Sequence, residues 1–161
     1  MLQTAESETA GVSLIAPGYP FAALSPYHTV PVNYPDDTPW ISPFHLFLAH
    51  QFQDHDCQKF VHSAGLGSSV RSLTALLDHD LLRNRVREDW RHGWAVKAMR
   101  HAIFLAVEQH PRLAALLLAT GTSRLICLSE NFQWGMEQQG HAWRGENLIG
   151  KILEEKRDLL T

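Results

Sequence analysis

The sequence predicts an α+β fold, mainly helical, forming a single domain with a small sheet. Three observations carry that reading. From Pro43 onward, apolar residues recur at three- and four-residue steps, the period of helices packed on one face. Prolines 17, 20, 26, 31, 35 and 39 bar long helices between Leu14 and Trp40 and leave short extended pieces joined by turns. One apolar run with an isoleucine at its centre, "SRLICLS" at 123–129, reads as a strand. The length, 161 residues, suits one compact domain and is short for two.

In order along the chain, residues 1–13 are small, polar and acidic and read as a flexible tail ahead of a domain spanning 14–161. Extended segments such as "YHTVPVNY" follow, as edge strands. In "ISPFHLFLAHQF" Ser42 can cap a helix, Pro43 takes the first helical position, and Phe44, Phe47, Leu48 and Phe52 form an apolar stripe. A flexible "SAGLGSS" leads to a second helix over 72–86. The strongest helical pattern is 87–110, with Trp90, Trp94, Ala98, Ala102 and Ala106 at four-residue steps; Gly93 weakens it by up to about 1 kcal/mol. Pro111 opens another helix that Gly121 stops, and "ENLIGKILEEKRDLL" closes the chain as an amphipathic helix. "VSLIAPGYPFAAL" is apolar enough to dock on another surface, so residues 1–40 are expected to mediate self-association or hold a protein partner.

Composition excludes several classes. Hydrophobic residues make up 45% and charged residues 19%, with a net charge of −3, which does not indicate a nucleic-acid backbone binder. No apolar run is long enough for a membrane span, and the acidic start is not a signal peptide. Cys57 and Cys127 fit no metal or redox spacing and read as free thiols in a reducing compartment, so a cytoplasmic location is expected. His45, His50 and His55 step by five, which turns each about 140° from the last on a helix, so they cannot share one metal-binding face. No phosphate-binding glycine motif, nucleophile elbow or cofactor fingerprint occurs, and no cofactor or metal is expected.

One stretch stands apart. "NFQWGMEQQGHAWRGENLIGK", 131–151, interrupts its tryptophans and asparagines with glycines and then enters a helix. Gly135 would let backbone approach a ligand, Trp134 would offer a flat face, and Arg144 and Asn147 would stand at a helix N-terminus that attracts phosphate. The alternative is a tight structural turn whose tryptophans plug the core.

Read together, "LSPYHTVPV", "PWISPFHLFLAHQF", the long segment 86–121 and "NFQWG…RGENLIGKILEEKR" make the chain resemble the NADAR (YbiA-like) family over roughly residues 20–158. That family is related to riboflavin-intermediate N-glycosidases and ADP-ribose-processing enzymes. The resemblance implies a YbiA-like α+β fold and a site with His45, Trp90, Asn131, Trp134, Gly135, Arg144 and Asn147 facing an ADP-ribose-like or ribose-phosphate ligand. Nucleic acid would enter only as an ADP-ribosylated substrate.

The departures from the family pattern concern the chemistry. The family's glutamate falls on Phe44 and its aspartate on Asn131. Cleaving a ribose C1′–N bond passes through an oxocarbenium-like state that needs carboxylates, and neither phenylalanine nor asparagine serves as one. Two expectations follow: degraded N-glycosidase activity with ligand-binding or structural duty retained, or activity carried by the substitute acids Glu130 and Glu146.

Overall fold

The computed structural model describes residues 11–65, 75, 78–80 and 82–161. The fold is α+β and mainly helical, as the periodicity predicts. Among the described residues the strands pair two by two, giving three small ribbons where one small sheet was expected. Contacts cluster into two compact units, one built from the chain's two ends (to Ser25 and from His110) and one from Pro26–Gln109.

In the terminal unit, β1 (Val12–Ile15) lies parallel to β4 (Arg124–Cys127), with Val12 opposite Arg124 and Ile15 opposite Cys127. The strand therefore starts within the last two residues read as tail. In this ribbon Ile15, Leu125 and Ile126 are fully buried, while Val12 and Leu14 are half-buried. Side chains of α5 (Leu148–Leu160) cover the other edge of β4. Glu154 accepts from the Leu125 amide at 2.8 Å, and Asn147, just before the helix, accepts from the Cys127 amide at 3.1 Å. Further along, the same edge pairs with Met136, whose amide donates to the Cys127 carbonyl at 2.8 Å. The helix α4 (Pro111–Ala119) packs on α5, and Arg157 ties their ends by donating to Thr120 Oγ1 at 2.9 Å and to the Ser123 carbonyl at 2.8 Å. The hairpin β5 (Glu137–Gln139) and β6 (Ala142–Arg144) is mostly exposed.

In the central unit, β2 (Val32–Asn33) and β3 (Pro39–Trp40) form an antiparallel ribbon. The helix α1 (Pro43–Ala49) starts as its sequence requires, with Ser42 Oγ accepting from the His45 amide at 3.1 Å and Pro43 in the first turn. All seven of its residues are buried, which a one-sided stripe does not predict. Next comes α2 (His55–Gly65), hidden in the sequence by its polar residues. Its signals are Asp54, whose Oδ1 accepts from the amides of Asp56 and Cys57, and the four-residue spacing of buried Cys57, Val61 and Gly65. Of the helix expected over 72–86, residues 72–74, 76, 77 and 81 lie outside the described residues; the described stretch 82–84 forms a turn, with Asn84 at φ 63°.

The long helix expected over 87–110 is interrupted. Trp90–Trp94 wind as a π-helical turn, within which His92 leaves helical geometry and Gly93 swings to φ 105°. Regular helix, α3 (Ala95–Gln109), begins only after it. The left-handed region is cheap for glycine and costly for other residues, so the turn breaks there. The tryptophans leave the common stripe: Trp90 packs on Phe47 with ring centroids 5.1 Å apart, and Trp94 is 40% exposed. Ala98, Met99, Ala102, Ile103 and Ala106 are buried as the spacing requires. No single helix among the described residues is long and apolar enough to cross a membrane.

Candidate functional site

The residues expected to form the site divide between the units. Glu130, Asn131, Trp134, Gly135, Arg144, Glu146 and Asn147 belong to the terminal unit, whereas His45, Trp90 and Phe44 belong to the central one.

The loop from β4 to α5 is built largely to bond itself. Asn131 turns the chain, its Oδ1 accepting from the amides of Gln133 at 3.1 Å and Trp134 at 3.4 Å, while its carbonyl accepts from Gly135. The amides at the start of α5, expected to attract a phosphate, already donate to that turn: Asn147 to Gly135, Leu148 to Gln133 and Ile149 to Trp134, at 3.0–3.2 Å. The Glu146 amide likewise donates to the Phe132 carbonyl at 2.5 Å. A helix N-terminus binds anions through unspent donors, and here these donors are spent.

The glycines serve the same closure. A Cβ on Gly135 would stand 2.4 Å from the Cys127 carbonyl oxygen, and one on Gly150 would stand 2.1 Å from that of Leu125. The close approach is to the protein's own backbone, where the sequence suggested a ligand. Asn147, 1% exposed and left-handed at φ 55°, donates through Nδ2 to the Leu125 carbonyl at 2.8 Å and so joins α5 to both sides of a β4 peptide pair. Trp134 is buried, 7% exposed, and offers no open face. The loop presents outward Glu130, Asn131, Gln133, Glu146 and, among others, Arg144, whose guanidinium lies 4.6 Å from the Phe132 ring centroid.

In the central unit, Phe44 is 8% exposed and packs against Tyr27 and Phe47, with centroids 4.8 and 5.8 Å away. Its position is core. His45 has no exposed surface and both ring nitrogens are engaged: Nδ1 accepts from the Ile41 amide at 3.2 Å, so Nε2 carries the proton and donates to the Val61 carbonyl at 2.8 Å. Burial pushes its pKa down, partly offset by the Val61 carbonyl and reinforced by His62. A neutral imidazole with both nitrogens spent ties α1 to α2. Gly65 is needed to admit it, since a Cβ there would meet the ring at 2.0 Å.

A second imidazole cluster has no local sequence signal, because its members are far apart in the chain. Tyr34, His50 and His101 pack edge to face, with centroid distances of 4.7 Å (Tyr34–His101), 5.6 Å (Tyr34–His50) and 5.5 Å (His50–His101). Burial, then the charges of His101 and Arg87, push His50 down to about 4, and burial also lowers His101. Among the described residues, neither His50 Nε2 nor His101 Nε2 has a hydrogen-bond partner, although both atoms are buried. No group of three or more His, Cys, Asp or Glu among the described residues could hold a metal ion.

Comparison with known proteins gives a consistent result. The NADAR domain family model matches residues 17–161. N-glycosidase YbiA of Escherichia coli (strain K12) is 32% identical over 127 residues, covering 78% of this chain and 74% of the relative. The protein of the same name from Shigella boydii serotype 4 is 31% identical over 130 residues, with the same coverage. The NMR structure of the E. coli protein YbiA superposes with a TM-score of 0.75 at 25% identity, covering 92% of this chain and 84% of that one.

Proposed function

The chain belongs to the NADAR family, and on that premise we propose that it is a divergent member in which N-glycosidase chemistry is degraded while a ribose-phosphate or ADP-ribose-like ligand is still bound. The observation that carries this reading is Phe44: the position where the family places a glutamate holds a phenylalanine, buried between Tyr27 and Phe47. With it goes the carboxylate that would stabilise an oxocarbenium-like state or activate water. Asn131, at the family's aspartate position, spends its side-chain oxygen on the Gln133 and Trp134 amides and cannot act as a base. Losing two acids that act together costs several orders of magnitude in rate.

The test is base release. Purified protein incubated with ADP-ribosylated guanine or a ribosyl-pyrimidine intermediate of riboflavin synthesis should release no base at enzymatic rates, while calorimetry detects weak binding of ribose 5-phosphate or ADP-ribose. One observation favours a second reading. The Glu146 amide closes onto the Phe132 carbonyl, which holds exposed Glu130 and Glu146 at the two ends of one tied loop. Ordinary turnover that disappears in Glu130→Gln or Glu146→Gln would overturn the first reading and assign the acids' role to those residues.

A further inference from the structure

In the central unit, the stretch Arg85–His92 runs between two left-handed residues, Asn84 at φ 63° and Gly93 at φ 105°. None of its side chains is buried, whereas Leu82 just before it is 1% exposed and Ala95 just after it 8%. Within itself the stretch is firmly bonded. Arg87 donates to both Asp89 carboxylate oxygens, at 2.6 and 3.0 Å, and the Trp90 and His92 amides donate to the Arg87 and Asp89 carbonyls. Its ties across the chain run to α1 and the residues that follow that helix. The Trp90 ring packs on Phe47, the Arg87 amide donates to the Gln51 carbonyl at 2.8 Å, and Arg85 meets Asp54 at 3.4 Å in an ion pair whose side chains are 57% and 42% exposed. With Trp90 laid over Phe47, α1 keeps no exposed side. At the downstream end the Arg87 guanidinium reaches across Gly93 to lie 4.0 Å from the Trp94 ring centroid.

A segment that is firm within, lightly tied outside and flanked by two turning residues is built to move as one piece. Gly93 has nothing within 4 Å of an added Cβ, so its backbone can turn without a clash. We propose that Arg85–His92 is a flap that pivots at Asn84 and Gly93, lifts from α1 and uncovers the Phe47 ring, which is 6% exposed while the flap is down. Arg87 is its latch, because both the amide bond to Gln51 and the contact with Trp94 break on opening. The ring contact, the backbone bond and the exposed ion pair are each worth a factor of about ten or less, so the open form lies far below global unfolding in cost. The flap gates the aromatic side of α1, and this follows from how the segment is held, whether or not the chain binds a ribose phosphate.

Native-state hydrogen exchange on the full chain tests the flap. The Arg87 amide should exchange at least about tenfold faster than the buried Met99 and Ile103 amides of α3, through an opening that low urea leaves unchanged. Trp90→Leu removes the ring contact with Phe47 and should speed Arg87 exchange about two- to tenfold, more than it changes exchange at Met99 and Ile103. A thiol placed under Trp90 by Phe47→Cys reports the uncovering itself, since the native Cys57 and Cys127 are 1% and 2% exposed. A thiol reagent should label position 47 at a rate that low urea also leaves unchanged. Arg87 exchange that rises with urea in step with α3, an equal change at all three amides in Trp90→Leu, or labelling that tracks global unfolding overturns the flap. If Phe47→Cys does not fold, Arg87 exchange in the parent chain decides.

Discussion

Asn147 shows how much one side chain can hold. Its amide bonds the Cys127 N–H and the Leu125 carbonyl on the β4 edge facing α5, and its left-handed backbone turns the chain into the helix. Asn147→Ala leaves two buried backbone groups unpaired and places a Cβ-bearing residue without a local hydrogen bond at positive φ, at a cost of about 2–4 kcal/mol. Asn147→Asp keeps the size but sets an acceptor against the Leu125 carbonyl, so urea melts of both variants should show a lowered midpoint. A normal midpoint for the aspartate variant would mean the bonds are not as assigned. From the sequence, the residue read as a ligand contact at a helix mouth. Composition around it could not distinguish an asparagine aimed outward from one bonded to a strand 20 residues earlier.

At the scale of elements, the π-helical turn before α3 separates two predictions about Gly93. Were 87–110 one helix, Gly93→Ala would stabilise it by up to about 1 kcal/mol. With Gly93 at φ 105° and nothing within 4 Å of an added Cβ, the cost is purely conformational, and the same substitution should destabilise by about 1–2 kcal/mol. Thermal unfolding reads the sign directly. The helix α1 gives a second test. Phe44→Glu would place a carboxylate between Tyr27 and Phe47, where it is desolvated without a partner and its pKa rises. The variant should lose about 3 kcal/mol or more of stability at neutral pH and recover part of it below pH 5, where the acid is neutral. An equal penalty against the parent chain at both pH values would mean the position opens to solvent.

At the scale of the whole molecule, the buried imidazoles set a pH dependence. Burial lowers His45, His50 and His101 in the folded chain, His50 to about 4, while unfolded histidine titrates near 6.5. Below pH 6.5 the unfolded chain therefore takes up protons that the folded chain refuses. Stability is greatest above pH 6.5, falls as pH drops, and His50's share is fully lost only below about 4. That share is on the order of 2–3 kcal/mol, so His50→Phe should flatten the decline in urea midpoint between pH 6.5 and 4. The N-terminal strand gives the other whole-chain test. Deleting residues 1–16 removes β1 and uncovers one edge of β4, so the truncated chain should melt at a lower temperature than the full one. An unchanged melt would restore the reading of the segment as a dispensable tail.

The sequence by itself determined the α+β class, the family, the caps of α1 and the buried face of α3. Each is either a local periodicity, a capping residue next to its helix, or an identity at a motif position, and all of these are written in neighbouring residues. Only the tertiary structure decided that Val12–Ile15 is a strand on β4, that the glycines of the 131–150 loop make room for the chain's own carbonyls, that the Asn147, Leu148 and Ile149 amides are spent, and that His50 and His101 meet. Those outcomes depend on which distant backbone groups lie within hydrogen-bond reach of a donor. A tryptophan, a glycine or an asparagine has the same letter whether its partner is a ligand or a strand far along the same chain.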